Sequence, residues 1–295
     1  MDNERLLVSI VIPTYNHCNF LGRALQGLLD QSYSNWEAII VDNHSQDSTN
    51  EVIKSFDDAR IRSIKINNNG VIAASRNLGI KESKGSWIAF LDSDDWWKSD
   101  KLQFCIQQID DRVDLIYHDL KVVGEKKKKY QRKDSRTRQL KKPILRDLLM
   151  HGNLISNSSV VIRKSLLEKA GGLSENPKMI GAEDFNIWLK IANLTNNFVY
   201  VPEYLGFYEF HENGISRKDM SECYLYAIEE FINSVPHSIY KNIIANTYYM
   251  KAKYYTNHKN FDKAFDEAKK SFKNGIPEIK IKSLYLLINS FFRIL

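Results

Sequence analysis

Ser86-Trp87-Ile88-Ala89-Phe90-Leu91-Asp92-Ser93-Asp94-Asp95 carries five consecutive apolar residues directly into four positions, three of which are carboxylates. A short unbroken apolar run between Gly85 and an acidic turn reads as a strand buried on both faces. Working upstream, Ala73 to Ser83 has a helical pattern ended by Gly85, and Ile61 to Ile66 reads as another strand. Asp47 or Ser48 is placed to cap a helix through Phe56. Trp36 to Val41 is a strand that opens into Asp42-Asn43-His44-Ser45. Asn19 to Gln31 shows an apolar helical face, and Val8 to Ile12 is a β-branched run closed by Pro13. Strands separated by helices at this spacing predict an α/β fold with a mostly parallel, Rossmann-like sheet and helices on both faces. Such sheets bind ligands beyond the carboxyl ends of their strands. Three of those ends are polar here: Thr14-Tyr15-Asn16, Asp42-Asn43 and Asp92-Ser93-Asp94-Asp95.

Downstream, Pro143 to His151 reads as a helix, Ser158 to Ile162 as a strand, and Arg163 to Ala170 as a helix closed by Gly171-Gly172. A helix from Glu183 to Asn193 and a strand from Phe198 to Val201 follow. From Ser221 the pattern is helical only: Tyr224 to Ser234, Ile239 to Tyr255, Phe261 to Lys273 and Ile279 to Ile294. Within it, Ala245 to Asn274 resembles a single tetratricopeptide-type hairpin, which needs a neighbouring surface to cover its apolar face. The expected division is a catalytic domain at 1–218, with halves 1–100 and 101–218, and a helical region at 219–295 that packs on that domain or on a second copy.

At 295 residues, 43% hydrophobic and 26% charged, the chain can bury a substantial core. Cys18, Cys105 and Cys223 are far apart and lack CxxC spacing, which argues against a disulfide framework or a zinc site and fits a reducing cytoplasm. Asp2, Asn3, Glu4 and Arg5 ahead of a short apolar stretch do not make a signal peptide, and no apolar run is long enough to span a bilayer. Ten Lys/Arg stand against two acids between Glu125 and Lys142, so this block exceeds the net +6 of the whole chain and the remainder is slightly acidic. It reads either as a solvated loop or as a contact for an anionic partner, phospholipid head groups or a pyrophosphate-linked acceptor. Nucleic acid is not expected, because Tyr130 is the lone aromatic among these charges.

Gathering carboxylates at one strand end is costly without a cation, and hard oxygen donors suit Mg²⁺ or Mn²⁺; helix-capping aspartates are the plainer explanation of the same residues. Four segments together carry more information: Val8-Ser9-Ile10-Val11-Ile12-Pro13-Thr14-Tyr15-Asn16; Ile39-Ile40-Val41-Asp42-Asn43-His44-Ser45-Gln46-Asp47-Ser48-Thr49; Ala74-Ser75-Arg76-Asn77-Leu78-Gly79-Ile80; and the acidic DxD segment. In this order they resemble the family 2 glycosyltransferases of the GT-A fold, above all bacterial enzymes that build O-antigen and other surface polysaccharides. The resemblance covers roughly residues 6 to 217.

It implies a metal-dependent, inverting transferase that uses a UDP-sugar donor and a lipid-linked (polyprenyl diphosphate) acceptor at the inner face of the bacterial cytoplasmic membrane. By position, Pro13, Thr14 and Tyr15 would line the nucleotide, with Tyr15 on the uracil and Asp42 at its edge. Arg76 would contact base or phosphates, or else serve as a surface ion-pair partner. Asp92 and Ser93 would face ribose and donor sugar, and Asp94 would hold the Mn²⁺ or Mg²⁺, with Asp95 as the third acidic member of the motif. Glu183-Asp184 matches the family's Glu-Asp pair: Asp184 is the expected general base, and Glu183 the alternative or an acceptor contact. His211 corresponds to a metal ligand or diphosphate contact, and Arg217 with Lys218 would neutralise phosphate charge.

The last helix mixes Leu284, Leu286, Leu287, Ile288, Phe291, Phe292, Ile294 and Leu295 with Lys280, Lys282 and Arg293. Packing onto the preceding helices is the favoured explanation, and peripheral membrane contact or a homodimer contact are the others. Two further functional readings stay open. A nucleotidyltransferase would need a Gly-rich basic loop where Pro13-Thr14-Tyr15-Asn16 stands; a non-catalytic scaffold would not need both acidic motifs intact.

Overall fold

The computed structural model describes residues 6–124, 134–135, 137–211, 214, 218–232 and 235–294. Its first half is built from β1 (Val8–Thr14), α1 (Cys18–Leu29), β2 (Trp36–Asp42), α2 (Thr49–Lys54), β3 (Ile61–Lys65), α3 (Ile72–Glu82) and β4 (Trp87–Phe90). β1 lies between β2 and β4, parallel to both, and β3 extends the sheet beyond β2. Alternation along the buried strands splits their side chains between two cores. In β4, Ile88 and Phe90 face one core, whereas Trp87 and Ala89 face the other. Gly79 lets α3 sit tightly on β1, since a Cβ there would collide with the Val11 side chain.

The second half runs through β5 (Trp96–Trp97), α4 (Lys101–Gln107), β6 (Leu115–Gly124), β7 (Asp134–Ser135), α5 (Ile144–His151), β8 (Val161–Arg163), α6 (Lys164–Lys169), α7 (Glu183–Leu194) and β9 (Phe198–Phe210). The strand order is β3-β2-β1-β4-β8-β6-β9-β5, with β7 on β6. β8 is antiparallel to both β4 and β6, and β5 is antiparallel to β9, so the sheet as a whole is mixed. The reversal at β8 has a functional consequence. The chain enters β8 from the carboxyl end of β4, through a 3-10 turn at Asn157–Ser159, where the sequence pattern predicted continuous strand. That turn delivers Asn157 and Ser158 beside Asp92.

β6 and most of β9 were not foreseen. β9 spans 13 residues rather than the four expected, and its pairing with β6 is interrupted by register shifts around Asp119. The polar Glu203 and Tyr204 fall at this irregularity and break the apolar pattern that would have signalled a long strand.

Four helices follow: α8 (Ser221–Ile232), α9 (His237–Asn257), α10 (Phe261–Asn274) and α11 (Pro277–Ile294). α8 and the first turns of α9 share the core of the catalytic sheet through Tyr224, Ala227, Ile228, Ile239 and Ile243. Farther out, α9, α10 and α11 approach closely over small residues. Ser271 donates to the Ala245 carbonyl at 2.7 Å, and Ser283 donates to Ser271 Oγ at 2.8 Å. The packing expected of the last helix holds for Leu286 and Leu287. It fails for Ile281, Leu284, Tyr285, Ile288, Phe291 and Phe292, which face outward. Among the described residues no helix is long and apolar enough to cross a membrane.

Candidate active site

The three polar strand ends converge as the parallel sheet requires. Thr14 and Asp42 are register partners at the ends of β1 and β2. Ser45 donates to Asp42 Oδ1 through its backbone N–H at 3.0 Å and its hydroxyl at 2.6 Å, which fixes the carboxylate. Asp42 Oδ2 and Thr14 Oγ1 are both buried without a hydrogen-bond partner. Buried polar atoms of this kind are rare, and two of them side by side offer hydrogen-bonding capacity to a bound base or ribose. Beside them Tyr15 is 51% exposed, so its ring face is open to stacking. Asn16 adopts a left-handed conformation that suits Asn, and its side chain accepts from the Gln46 N–H at 2.7 Å, lacing the two loops together. Pro13 lies within β1, where it is buried and pairs with Val41.

At the end of β4 the four DxD residues take separate tasks. Asp92 Oδ1 accepts from Arg76 Nη2 at 2.8 Å and from Asn157 Nδ2 at 3.0 Å. Ser93 Oγ meets His17 Nδ1 at 2.7 Å. Asp94 is partly exposed, with Oδ2 2.9 Å from His211 Nε2. Asp95 is buried, and its Oδ1 accepts the Glu209 N–H at 2.9 Å, tying the motif to β9. Burial first, then the charges of Asp94 and Asp92, push the Asp95 carboxyl well above the ordinary range. His211 stacks on Phe20 with ring centroids 4.9 Å apart. Arg23 donates to the Asp94 carbonyl at 3.1 Å and to Glu209 at 2.8 Å, lying over the Trp96 ring.

Arg76 is an ion-pair partner, but a buried one rather than the surface one the sequence allowed. It is 4% exposed and bridges two carboxylates, Asp92 on one side and Glu183 Oε1 at 2.6 Å on the other. Burial works against its charge, and the neighbouring acids more than offset that cost. Glu183 Oε2 also accepts the Gly181 N–H at 2.6 Å, so both oxygens are engaged. Asp184 follows in the first turn of α7, and its Oδ2 accepts from Asn153 Nδ2 at 3.0 Å. Burial, then the adjacent Glu183 charge, raise the Asp184 carboxyl to about 7 against the pull of Arg76. One arginine thus joins the DxD strand end to the start of α7.

Among the described residues no group of three or more His, Cys, Asp or Glu side chains is gathered as a ready metal cage. Asp94 and His211 supply two adjacent donors. That set fits Mg²⁺ or Mn²⁺, which commonly complete their shells with substrate phosphate oxygens and water. Arg217 lies outside the described residues, as does most of the basic block at 125–142. Lys218 is exposed.

Sequence reasoning missed His17, Arg23, Asn153, Asn157 and Ser158. The Asn157-Ser158-Ser159 run ahead of an apolar segment was a usable signal, because three small polar residues before a strand favour a turn. His17 directly follows the first polar strand end. For Arg23 and Asn153 no local pattern distinguished them from surface residues.

The Glycosyl transferase family 2 profile matches residues 9–171, more than half of the chain, and the chain belongs to that family. Among curated relatives it is 39% identical over 105 residues to the putative teichuronic acid biosynthesis glycosyltransferase TuaG of Bacillus subtilis, covering 35% of this chain and 42% of TuaG. It is 29% identical over 248 residues to WfaP of Escherichia coli, a UDP-Glc:alpha-D-GlcNAc-diphosphoundecaprenol beta-1,3-glucosyltransferase, covering 82% of this chain and 92% of WfaP. The matched stretch therefore spans less than half of TuaG and nearly all of WfaP. The structure of S. aureus TarS 1-349 in complex with UDP-GlcNAc superposes with a TM-score of 0.66 at 17% identity, covering 97% of this chain and 89% of TarS 1-349. The shared fold is GT-A.

Proposed function

We propose that this glycosyltransferase moves a hexose or N-acetylhexosamine from a UDP-sugar to a sugar on a polyprenyl diphosphate carrier, with inversion, in the assembly of O-antigen or another surface polysaccharide. The observation that carries the reading is the Arg76 bridge. It joins Asp92, on the donor side, to Glu183, next to the candidate base Asp184. Thr14, Tyr15 and Asp42 fit a nucleoside: a hydroxyl, an exposed aromatic face and a fixed carboxylate whose Oδ2, 3.9 Å from Lys65 Nζ, accepts no hydrogen bond within the chain. The uracil assignment follows the family resemblance, and the sugar carrier follows the activity of WfaP.

Glu183 is held in a buried ion pair with Arg76, whereas the Asp184 oxygens accept from neutral donors, the Asn153 amide and the Phe185 N–H, so Asp184 is the carboxylate assigned to take the proton. In the proposed step the acceptor oxygen bonds to the donor's C1 as the bond from C1 to the diphosphate oxygen breaks, and the hydroxyl proton passes to Asp184. One displacement inverts the anomeric carbon, so an α-linked donor gives a β-linked product. Asp94 and His211 would hold Mn²⁺ or Mg²⁺, which when bound would neutralise charge on the departing diphosphate. The expected workplace is the inner face of the cytoplasmic membrane, where polyprenyl-linked acceptors reside.

Calorimetry of UDP binding with and without Mn²⁺, on the wild type and Asp94→Ala, tests the donor site. Binding that requires the metal and is lost in the variant is the expected result. Equal binding in all four arms, or none in any, would remove the basis for the assignment.

A further inference from the structure

α11 reverses the usual order of a helix docked on a protein body. Ile279, Ser283, Leu286 and Ser290 point inward, with both serines fully buried, while the opposite side is apolar and exposed. Ile281 is 70% exposed and Phe292 73%, and Leu284, Tyr285, Ile288 and Phe291 fill the line between them at helical spacing. At 100° per residue, Lys280 lies along one edge of this stripe and Lys282 and Arg293 along the other. The sole acid of the described helix is Glu278 in its first turn, where it pairs with His151 at 3.6 Å. At the far end, Arg293 also lines an open cleft of about 520 Å³ shared with His258, Lys259, Asn260, Phe261 and the single acid Asp262.

We propose that the outward face of α11 is a bilayer-docking surface, on which the stripe from Ile281 to Phe292 enters the boundary between headgroups and acyl chains of an anionic membrane. Lys280, Lys282 and Arg293 meet the lipid phosphates, and the cleft beside Arg293 receives a headgroup. Charge decides between this occupant and a second copy of the chain. In a two-fold pairing of the stripe with itself, the three cations of one copy would face those of the other, with Glu278, already paired with His151, as the one acid of each described helix, whereas an anionic bilayer complements both edges at once. A helix of this kind lies in the interface and does not span it.

The placement bears on the reaction and there rests on the proposed lipid-linked acceptor. Glu278 pairs with His151, two residues before the Asn153 whose amide holds Asp184. Docking of α11 would therefore anchor the acceptor side of the site to the membrane that carries the acceptor.

Flotation of the full chain with phosphatidylglycerol–phosphatidylcholine vesicles, and with phosphatidylcholine alone, tests this directly. The wild type should float with the anionic vesicles and about tenfold more weakly with the neutral ones. Ile281→Glu/Ile288→Glu/Phe292→Glu should abolish flotation, and Lys280→Glu/Lys282→Glu should weaken it, with UDP binding unchanged in both. Absence of flotation with anionic vesicles, or flotation undiminished in the triple variant, overturns the proposal. So does a triple variant whose only change, by light scattering, is from dimer to monomer. UDP binding on the same samples keeps the two questions apart, because its failure in the wild type would count against the donor site and not against the helix.

Discussion

The catalytic cleft and the outer helices depart from ordinary burial in opposite directions. Around the cleft the protein buries Arg76, Glu183 and Asp95, charged residues that usually stay in water; along α11 it exposes Ile281, Leu284, Ile288 and Phe292, which usually do not. Each departure costs stability unless something compensates it. In the cleft the compensation is internal, because Arg76 satisfies two carboxylates and backbone N–H groups satisfy Glu183 and Asp95. On α11 nothing within the described chain covers the stripe. The difference separates buried charges whose compensating partners lie within the chain from an apolar surface whose partner does not.

Perturbing each region should therefore give unlike results. Arg76→Met removes the shared cation and strands Asp92 and Glu183 in a poorly solvated position. The expected loss is about 3–5 kcal/mol of stability, read from the urea midpoint; a loss below about 1 kcal/mol would mean that the bridge is not the internal compensation described here. On the outer helix, each of Ile281→Glu, Ile288→Glu and Phe292→Glu should change stability by no more than about 0.5 kcal/mol, since all three side chains are largely exposed. A larger destabilisation would show that the stripe is part of the protein's own core.

The same contrast explains what the sequence disclosed. The parallel half of the sheet was legible because β1, β2 and β4 are short, mostly apolar runs ending in turn residues, and the DxD carboxylates follow the unbroken run of β4 directly. Asp42, Asp92 and Asp94 were placed correctly at strand ends for that reason. That Arg76 pairs with Glu183 was not legible, since an ion pair across 107 positions leaves no periodic trace. β6 and β9 were obscured where register shifts and polar residues break their alternation. For α11 the composition was plain but the direction of the apolar face was not. Leu286 and Phe292 look alike in the sequence, and only the small-residue contacts of Ser283 with Ser271 show which side turns inward.

The assignment of proton removal to Asp184 is tested most directly by the pH dependence of sugar transfer in the wild type and Asp184→Asn, using UDP-glucose and a GlcNAc-diphosphate-lipid acceptor. The carboxyl is raised to about 7 and must be ionised to accept the proton, so wild-type kcat/KM should rise with pH and level off above about 7. The variant should be about a hundred- to ten-thousandfold slower and should lack that rise. A variant that keeps the wild-type rate, or a slower one whose profile still rises through the same pH, would contradict Asp184 as the base.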